Sequence, residues 1–516
     1  MRIEREKPEF RNKGLTRTVT LFQYAFVILA VSQITLGLLR ALYPYDLDQL
    51  SSGFMVNSLL ISGRNPWSLK SVVNEPYCIT VYGVFHHLVF ALGQFIFGEQ
   101  YYFMRFISLL SCFGICLMIY LIASGSSIVA KSSVLDKDKL KLNKTCGLLA
   151  ILLILSSPAF ISNNSVGRPD NSGIAVSMAG VFLLMRYEKN QSAAWLPLLS
   201  GVLLGAGPLI KQSLISSILF GCYLSWYKRC FKSVFIASIG LPAVVCSFLT
   251  VITKGDFIKI CITFPSLPEK SILNSLSVFK STFLLSPVHL FILVGTFGFI
   301  IKQISGWLSK KEIEKSRTHI FIPWILLTAS LAMFTSTRKL GGSSLYWLEF
   351  IIVSSAFLGE NLGNIMQRIP WSGKKQWTIS AVSIIVIGSG LVFSLRSLRG
   401  VMFEWAATAY YRELQSIVCE KTTPDEPIIE YFSNIGILTH RKVLFNDLLM
   451  YQNTTDENRQ LLRSYIAGKK ASCLLLQPQF SADYLTSDYV EIPTKNPYPN
   501  RIFAVKVYLR KDLLTK

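Results

Sequence analysis

The sequence predicts an α-helical polytopic membrane protein of about eleven transmembrane helices, followed by a small C-terminal α/β domain outside the membrane. Three observations predict it. Apolar residues make up 51 % of the 516-residue chain and charged residues only 16 %, against roughly 25 % charged in an ordinary soluble domain. The apolar residues are blocked into runs of membrane-spanning length, roughly 20 residues each. The composition then changes near residue 397, where short alternating apolar stretches replace the long runs. Disorder and most soluble folds are excluded by this patterning. The formal charge of +22, from 52 Lys+Arg and 30 Asp+Glu, therefore has to be placed on a topology before it says anything about nucleic acid.

The first span is predicted over about 19–42, behind a basic N-terminal segment, 1–18, holding Arg2, Arg5, Lys7, Arg11, Lys13 and Arg17. The run is long and lacks a clean small-residue cleavage site, so it reads as a retained anchor. Later runs fall at about 101–124, 147–163, 171–186, 195–210, 213–227, 232–253, 284–304, 320–337, 345–361 and 377–395. The stretch Tyr82–Gly98 decides the parity. If it lies in the interface, the short loops on the N-terminal side of the membrane and their flanks hold 24 Lys+Arg and the opposite ones 12. The positive-inside bias then puts the N-terminus in the cytoplasm and the C-terminus outside. For a bacterial chain the membrane is the plasma membrane.

On this topology the transmembrane domain covers 19–396, with an outer loop at 43–100 carrying interfacial helices, and 397–516 forms the extracytoplasmic domain. FEWAATAYYRELQSIVCEKT reads as a helix, and DEPIIEYFS, SCLLLQPQ and IFAVKVYLR as strands. A further helix, ENRQLLRSYIAG, is closed by Gly468. Strands alternating with helices predict the α/β class. The ten cysteines show no metal-ligand spacing and read as small packing residues.

The candidate chemistry lies at the outer helix ends. Asp46 and Asp48 follow the first span, and two carboxylates at i, i+2 beside a membrane raise each other's proton affinity, which suits a general base. The alternative is an acid pair facing water. Asp170, after Pro169, is either the cap of the next helix or a second carboxylate of the site. Arg168, Lys211, Arg338 and Lys339 are outer basic residues placed against the charge bias. They read either as snorkelling side chains or as the holders of an anionic headgroup, with Gly341 and Gly342 letting backbone N–H groups approach a phosphate. Together they fit a carboxylate activating an acceptor beside a lipid-linked phosphate leaving group.

These residues resemble the GT-C superfamily of integral-membrane glycosyltransferases, in particular the branch of protein O-mannosyltransferases and aminoarabinose transferases. Asp46 and Asp48 are similar to its acidic pair, and Gly63-Arg64-Asn65-Pro66-Trp67 to the turn that follows. The stretch from Tyr82 is similar to the interfacial helix, and Arg105 to the Arg opening the second span. Arg168-Pro169-Asp170 and the stretch from Gly342 through Tyr346 to Glu349 complete the likeness. Many members have Asp-Glu where this chain has Asp48-Gln49, and the usual Pro-Pro before the interfacial Tyr is Thr80-Val81 here.

The resemblance implies a sugar moved from a polyprenyl-phosphate donor to a glycan, lipid or protein acceptor, with inversion. It implies Asp48, or Asp46, as base, with Asp170 assisting. Lys211, Arg168, Arg338 and Lys339 are expected on the donor phosphate, and Tyr82, Glu75, Tyr346 and Glu349 on the acceptor or sugar. No cofactor and no nucleic-acid partner are expected; membrane lipids surround the chain. Asp46-Leu47-Asp48 also fits a metal-bound nucleotide-sugar motif, but nucleotide sugars are cytoplasmic, and no Gly-rich dinucleotide fingerprint follows a strand. The rival class, a transporter or lipid flippase, predicts broken helices, and Gly205-Ala206-Gly207-Pro208 reads as a break in the fifth span.

Overall fold

The computed structural model describes residues 8–45, 47, 84–98, 100–125, 137–187, 195–252, 254–258, 271–308, 321–336, 344–368, 373–430, 435–445, 456–476, 485–494 and 505–515. The fold is mostly helical, ending in a small sheet. The bundle contains α1 (Pro8–Ala41), α2 (Val84–Phe97), α3 (Tyr102–Ala123), α4 (Lys137–Leu155), α5 (Pro158–Asn163), α6 (Pro169–Arg186), α7 (Trp195–Ile210) and α8 (Ile215–Tyr227). It continues through α9 (Phe231–Ile252), α10 (Ile272–Phe279), α11 (Pro287–Leu308), α12 (Phe321–Ser336), α13 (Leu348–Arg368) and α14 (Gly373–Ala406). Five stretches among the described residues are long and apolar enough to cross a membrane, and four further apolar helices are shorter. Outward-facing side chains such as Leu110, Val244, Phe248 and Val251 are exposed and apolar, as lipid contact requires.

The helices form where the apolar runs lie, with two corrections. The run 147–163 is two helices, α4 and α5, because Pro158 cannot continue α4 and instead opens the next turn. The Ser157 hydroxyl accepts a bond from the Phe160 N–H at 3.4 Å and caps α5. The predicted break at Gly205–Pro208 is also absent: α7 runs on to Ile210 with Pro208 inside its last turn.

Small residues decide which helices touch. Glycines at four-residue spacing let backbones approach in the apolar phase, where packing drives association. A Cβ on Gly359 of α13 would lie 2.7 Å from the Ala150 amide N and the Cys146 carbonyl O of α4. Gly363 sits against Cys146 in the same groove. Gly201 and Gly205 of α7 do the same against the Val234 and Ser238 carbonyls of α9, each at 2.8 Å. Around these contacts lies one continuous apolar core that includes Phe22, Ile115, Ile154, Leu184, Phe357 and the stacked pair Phe220–Trp324, with centroids 4.7 Å apart.

The chain leaves the bundle through α14, which runs unbroken past residue 396 to Ala406. Helix α15 (Thr408–Lys421) then leads to β1 (Ile428–Glu430), α16 (Ile435–Leu438), β2 (Val443–Phe445), α17 (Asp456–Ala467), β3 (Cys473–Leu476), β4 (Tyr489–Ile492) and β5 (Lys506–Arg510). The sheet order is β2-β1-β3-β5-β4. β1 is parallel to β2 and β3, while β5 is antiparallel to β3 and β4. The three predicted strands and the helix before Gly468 correspond to β1, β3, β5 and α17. The two strands absent from the sequence reading, β2 and β4, are only three and four residues long.

The sheet's core includes two residues from the other end of the chain. Tyr43 and Tyr45, just after α1, pack with Leu414, Val418, Ile428, Cys473 and Val507. The Tyr45 ring stacks on Tyr411 at 4.9 Å, and its hydroxyl donates to Gln415 Oε1 at 2.9 Å. Tyr43 meets Trp405 edge-on at 5.6 Å. Burial raises both phenols above their ordinary range, so both stay neutral at physiological pH.

Candidate active site

The site is built around the turn between α5 and α6. Ser165 and Gly167 adopt positive φ, 58° and 86°; glycine takes this conformation without steric cost. Arg168 is extended and Pro169 is the first helical residue of α6. Asp170 is thus not the cap of α6: it lies one position inside the helix, in its first turn, where the helix dipole favours a carboxylate.

Buried polar groups hold the turn from several sides. Arg40, near the end of α1, donates to the Ile161 carbonyl at 2.7 Å and the Asn164 carbonyl at 2.8 Å. The Asn164 amide donates to the Gln33 carbonyl at 2.8 Å, and Gln33 Nε2 donates to Ser394 Oγ of α14 at 2.9 Å. The amides of Asn163 and Asn171 bond each other across the turn at 2.9 Å. Each is a backbone or amide group that would be costly to bury without its partner.

Asp170 is spent on Lys211. The Lys211 ammonium donates to Asp170 Oδ1, and both side chains are buried. Lys211 stands where α7 ends, its N–H bonded to the Gly207 carbonyl at 2.8 Å. The second carboxylate oxygen, Asp170 Oδ2, has no hydrogen-bond partner among the described residues. An ammonium has three donors and a carboxylate about four acceptor positions, so the pair retains capacity for a ligand on each side.

Two further predicted residues lie beside the pair. The Tyr346 ring is 6.0 Å from Lys211 Nζ. Glu349, one turn on, accepts from the Ser216 and Ser217 hydroxyls, both at 2.6 Å, and from Trp324 Nε1 at 3.3 Å. It cross-links α8, α12 and α13 from inside the core. Asp170, Lys211, Tyr346 and Glu349 are therefore brought together at one end of the bundle.

The segment leading to the acidic pair arrives at the same place. Arg105 of α3 is fully buried and donates to the carbonyls of Tyr43 and, at 2.6 Å, Tyr45. Its guanidinium also lies 4.5 Å over the Tyr101 ring. The chain is thus gripped immediately before Asp46, and Leu47 lines a cavity of about 420 Å³. Arg40, Arg168, Ser162, Asn163 and Glu404 share that wall. The volume lies within the ordinary range of small-ligand sites, about 300–1,000 Å³. Asp46, Asp48, Glu75, Tyr82, Arg338 and Lys339 lie outside the described residues, as do Gly63–Trp67. Among the described residues no three His, Cys, Asp or Glu side chains gather as a metal site.

Sequence reasoning missed Arg40, Asn163, Asn171 and Glu404. Arg40 carried a signal, as a cation in the last turn of an apolar helix. Glu404 carried none, since it falls in a segment read as part of a separate outer domain.

Residues 83–253 match the family described as dolichyl-phosphate-mannose-protein mannosyltransferase. No curated protein sequence matches the chain. The fold is similar to that of ArnT from Cupriavidus metallidurans bound to undecaprenyl phosphate, with a TM-score of 0.60 at 10 % identity, covering 94 % of this chain and 97 % of that one. The apo state of the same protein gives 0.59 at 12 % identity with the same coverage. The likeness in fold runs along almost the whole of both chains, and the family match covers residues 83–253, about a third of this one.

Proposed function

We propose that the protein transfers a sugar from a polyprenyl-phosphate donor to an acceptor hydroxyl at the outer face of the membrane. The observation that carries this reading is the cavity where Leu47, between the two acids, faces Arg168 beside the buried Asp170–Lys211 pair. Arg40, Arg168 and Glu404 line this opening of sugar size. The ArnT relative is described with undecaprenyl phosphate, and the matched family with dolichyl-phosphate mannose, which supports the same class of donor.

In this reading Asp48, with Asp46 as the alternative, takes the proton of the acceptor hydroxyl as its oxygen attacks the anomeric carbon. The bond from that carbon to the phosphate oxygen breaks with its electron pair, leaving polyprenyl phosphate. Attack opposite the phosphate inverts the centre. Arg168 and Lys211, with Arg338 or Lys339, bind the phosphate and stabilise the charge it gains. Asp170 holds Lys211 and orients the acceptor; Tyr346 and Glu349 shape the sugar side, with Tyr82 and Glu75 on the acceptor. Purified protein given a radiolabelled polyprenyl-phosphate sugar is expected to transfer label to acceptor and release unlabelled lipid phosphate. Lipid that stays fully loaded across mannose, glucose and aminoarabinose donors, in a membrane extract supplying acceptors, removes the proposal.

The orientation follows the same logic. Helix α2 has 14 residues and α8 has 13, so length does not separate an interfacial helix from a span here, and the faces of α2 carry the reading. Helix α2 turns His86, His87 and Gln94 inward and Leu92, Phe95 and Ile96 outward. We read it as lying along the outer interface, which puts the N-terminus in the cytoplasm and the domain from 397 outside. In a background lacking reactive cysteines, Pro265→Cys is expected to react with an impermeant reagent from outside and Asp138→Cys to be protected. The opposite pattern inverts the topology.

A further inference from the structure

The cavity wall contains a carboxylate that the mechanism above does not use. Glu404 sits in the last turn of α14, two turns beyond Ser397 on the same helix. Both residues line the cavity together with Arg168 and Arg40. A carboxylate facing a site for an anionic lipid is an expense unless it discriminates. The two lipids that must pass through this site differ in charge. A polyprenyl-phosphate sugar is a phosphodiester with one negative charge. The polyprenyl phosphate left after transfer is a phosphomonoester with a second pKa near 6 and carries about −1.5 to −2 at neutral pH.

We infer that Glu404 is a specificity-determining residue of the donor site, weighting it toward the loaded phosphodiester and against the spent phosphomonoester. The inference rests on the donor class proposed above. Each negative charge on the bound lipid is repelled by the Glu404 carboxylate, so the spent lipid is penalised about twice as heavily as the donor. The loaded donor also offers sugar hydroxyls that a carboxylate accepts, whereas the spent lipid offers none. Both effects act in the same direction. Arg40 and Arg168 line the same wall and attract the more highly charged lipid more strongly, so Glu404 acts by lowering a preference that those cations set. The consequence is a site from which the spent lipid leaves more readily than it would without Glu404.

The test measures dissociation constants of undecaprenyl phosphate and of undecaprenyl-phosphate mannose, glucose and aminoarabinose for the full-length protein in nanodiscs at pH 7.5. Glu404→Gln is expected to tighten bare undecaprenyl phosphate and to lower the preference for loaded over bare lipid by about fivefold, the scale of one partly solvated charge interaction. Glu404→Asp keeps the wild-type preference. Ser397→Glu adds a second carboxylate to the same wall and shifts the preference in the opposite direction, weakening bare lipid most. A merely structural Glu404 weakens all lipids together, and that outcome overturns the inference. So does a preference that stays within twofold of wild type in Glu404→Gln and Ser397→Glu while the wild type binds the lipids normally, and the donor reading then stands. If the wild type binds neither loaded nor bare lipid, the donor reading itself falls and the Glu404 assignment with it.

Discussion

Asp48→Asn is expected to insert, fold and bind donor while transferring sugar about 100-fold more slowly or worse, the usual cost of losing a general base. Asparagine keeps the size and hydrogen-bonding of the side chain but cannot take the acceptor's proton. The expectation rests on Asp48 directly following Leu47, which lines the cavity, and on Arg105 gripping the Tyr43 and Tyr45 carbonyls just ahead. Purified Asp46→Asn, Asp48→Asn and Asp170→Asn proteins, compared in single-turnover transfer from a radiolabelled donor, separate the candidates. Collapse in Asp46→Asn with near-normal Asp48→Asn moves the role by two residues. Near-normal transfer in all three removes the carboxylate mechanism.

Lys211→Met is expected to be the most destabilising single change in the site, by about 3–5 kcal/mol, because it leaves the Asp170 carboxylate buried without its cation. Denaturant titration in a fixed detergent reads this directly. The double variant Asp170→Asn/Lys211→Met removes both charges and is expected to regain most of the stability, the pattern of a coupled pair. It is not expected to regain donor affinity, because the proposed role of Lys211 includes the donor phosphate. Restored stability together with restored donor binding would make the pair a purely structural lock. Equal stability of the single variant and the wild type would mean the pair contributes nothing to the fold.

The interpretation of Asp170→Asn depends on the same contact. Asparagine leaves the Lys211 ammonium buried with a neutral partner, so part of any activity loss reflects a weakened site. The stability of that variant has to be measured beside its rate before Asp170 is given a share in proton transfer.

Much of the helical bundle could be read from the sequence because apolar run length is a local property. The runs 195–210, 213–227 and 232–253 lie within two residues of α7, α8 and α9. The strands β1, β3 and β5 and helix α17 were legible for the same reason, each carrying its own periodicity. Asp170, Lys211 and Glu349 stood out as candidates for a similar reason, since charge is conspicuous beside apolar runs. The resemblance of these residues to a glycosyltransferase superfamily came from the same local signals.

What the tertiary structure alone decided is which of these residues meet. Asp170 pairs with Lys211 forty-one positions away, and Arg105 holds carbonyls sixty and sixty-two positions away. Such pairings depend on which helices approach closely, and that is set by small residues such as Gly201, Gly205, Gly359 and Gly363 against opposing backbone. Glu404 enters the site only because α14 continues beyond the membrane-length run and turns its last part toward the cavity. Tyr43 and Tyr45 join a sheet whose strands begin nearly four hundred residues later. A sequence displays the period of each element and the chemistry of each side chain. The packing of one element on another is a property of the assembled surface, and there the candidate active site takes its shape.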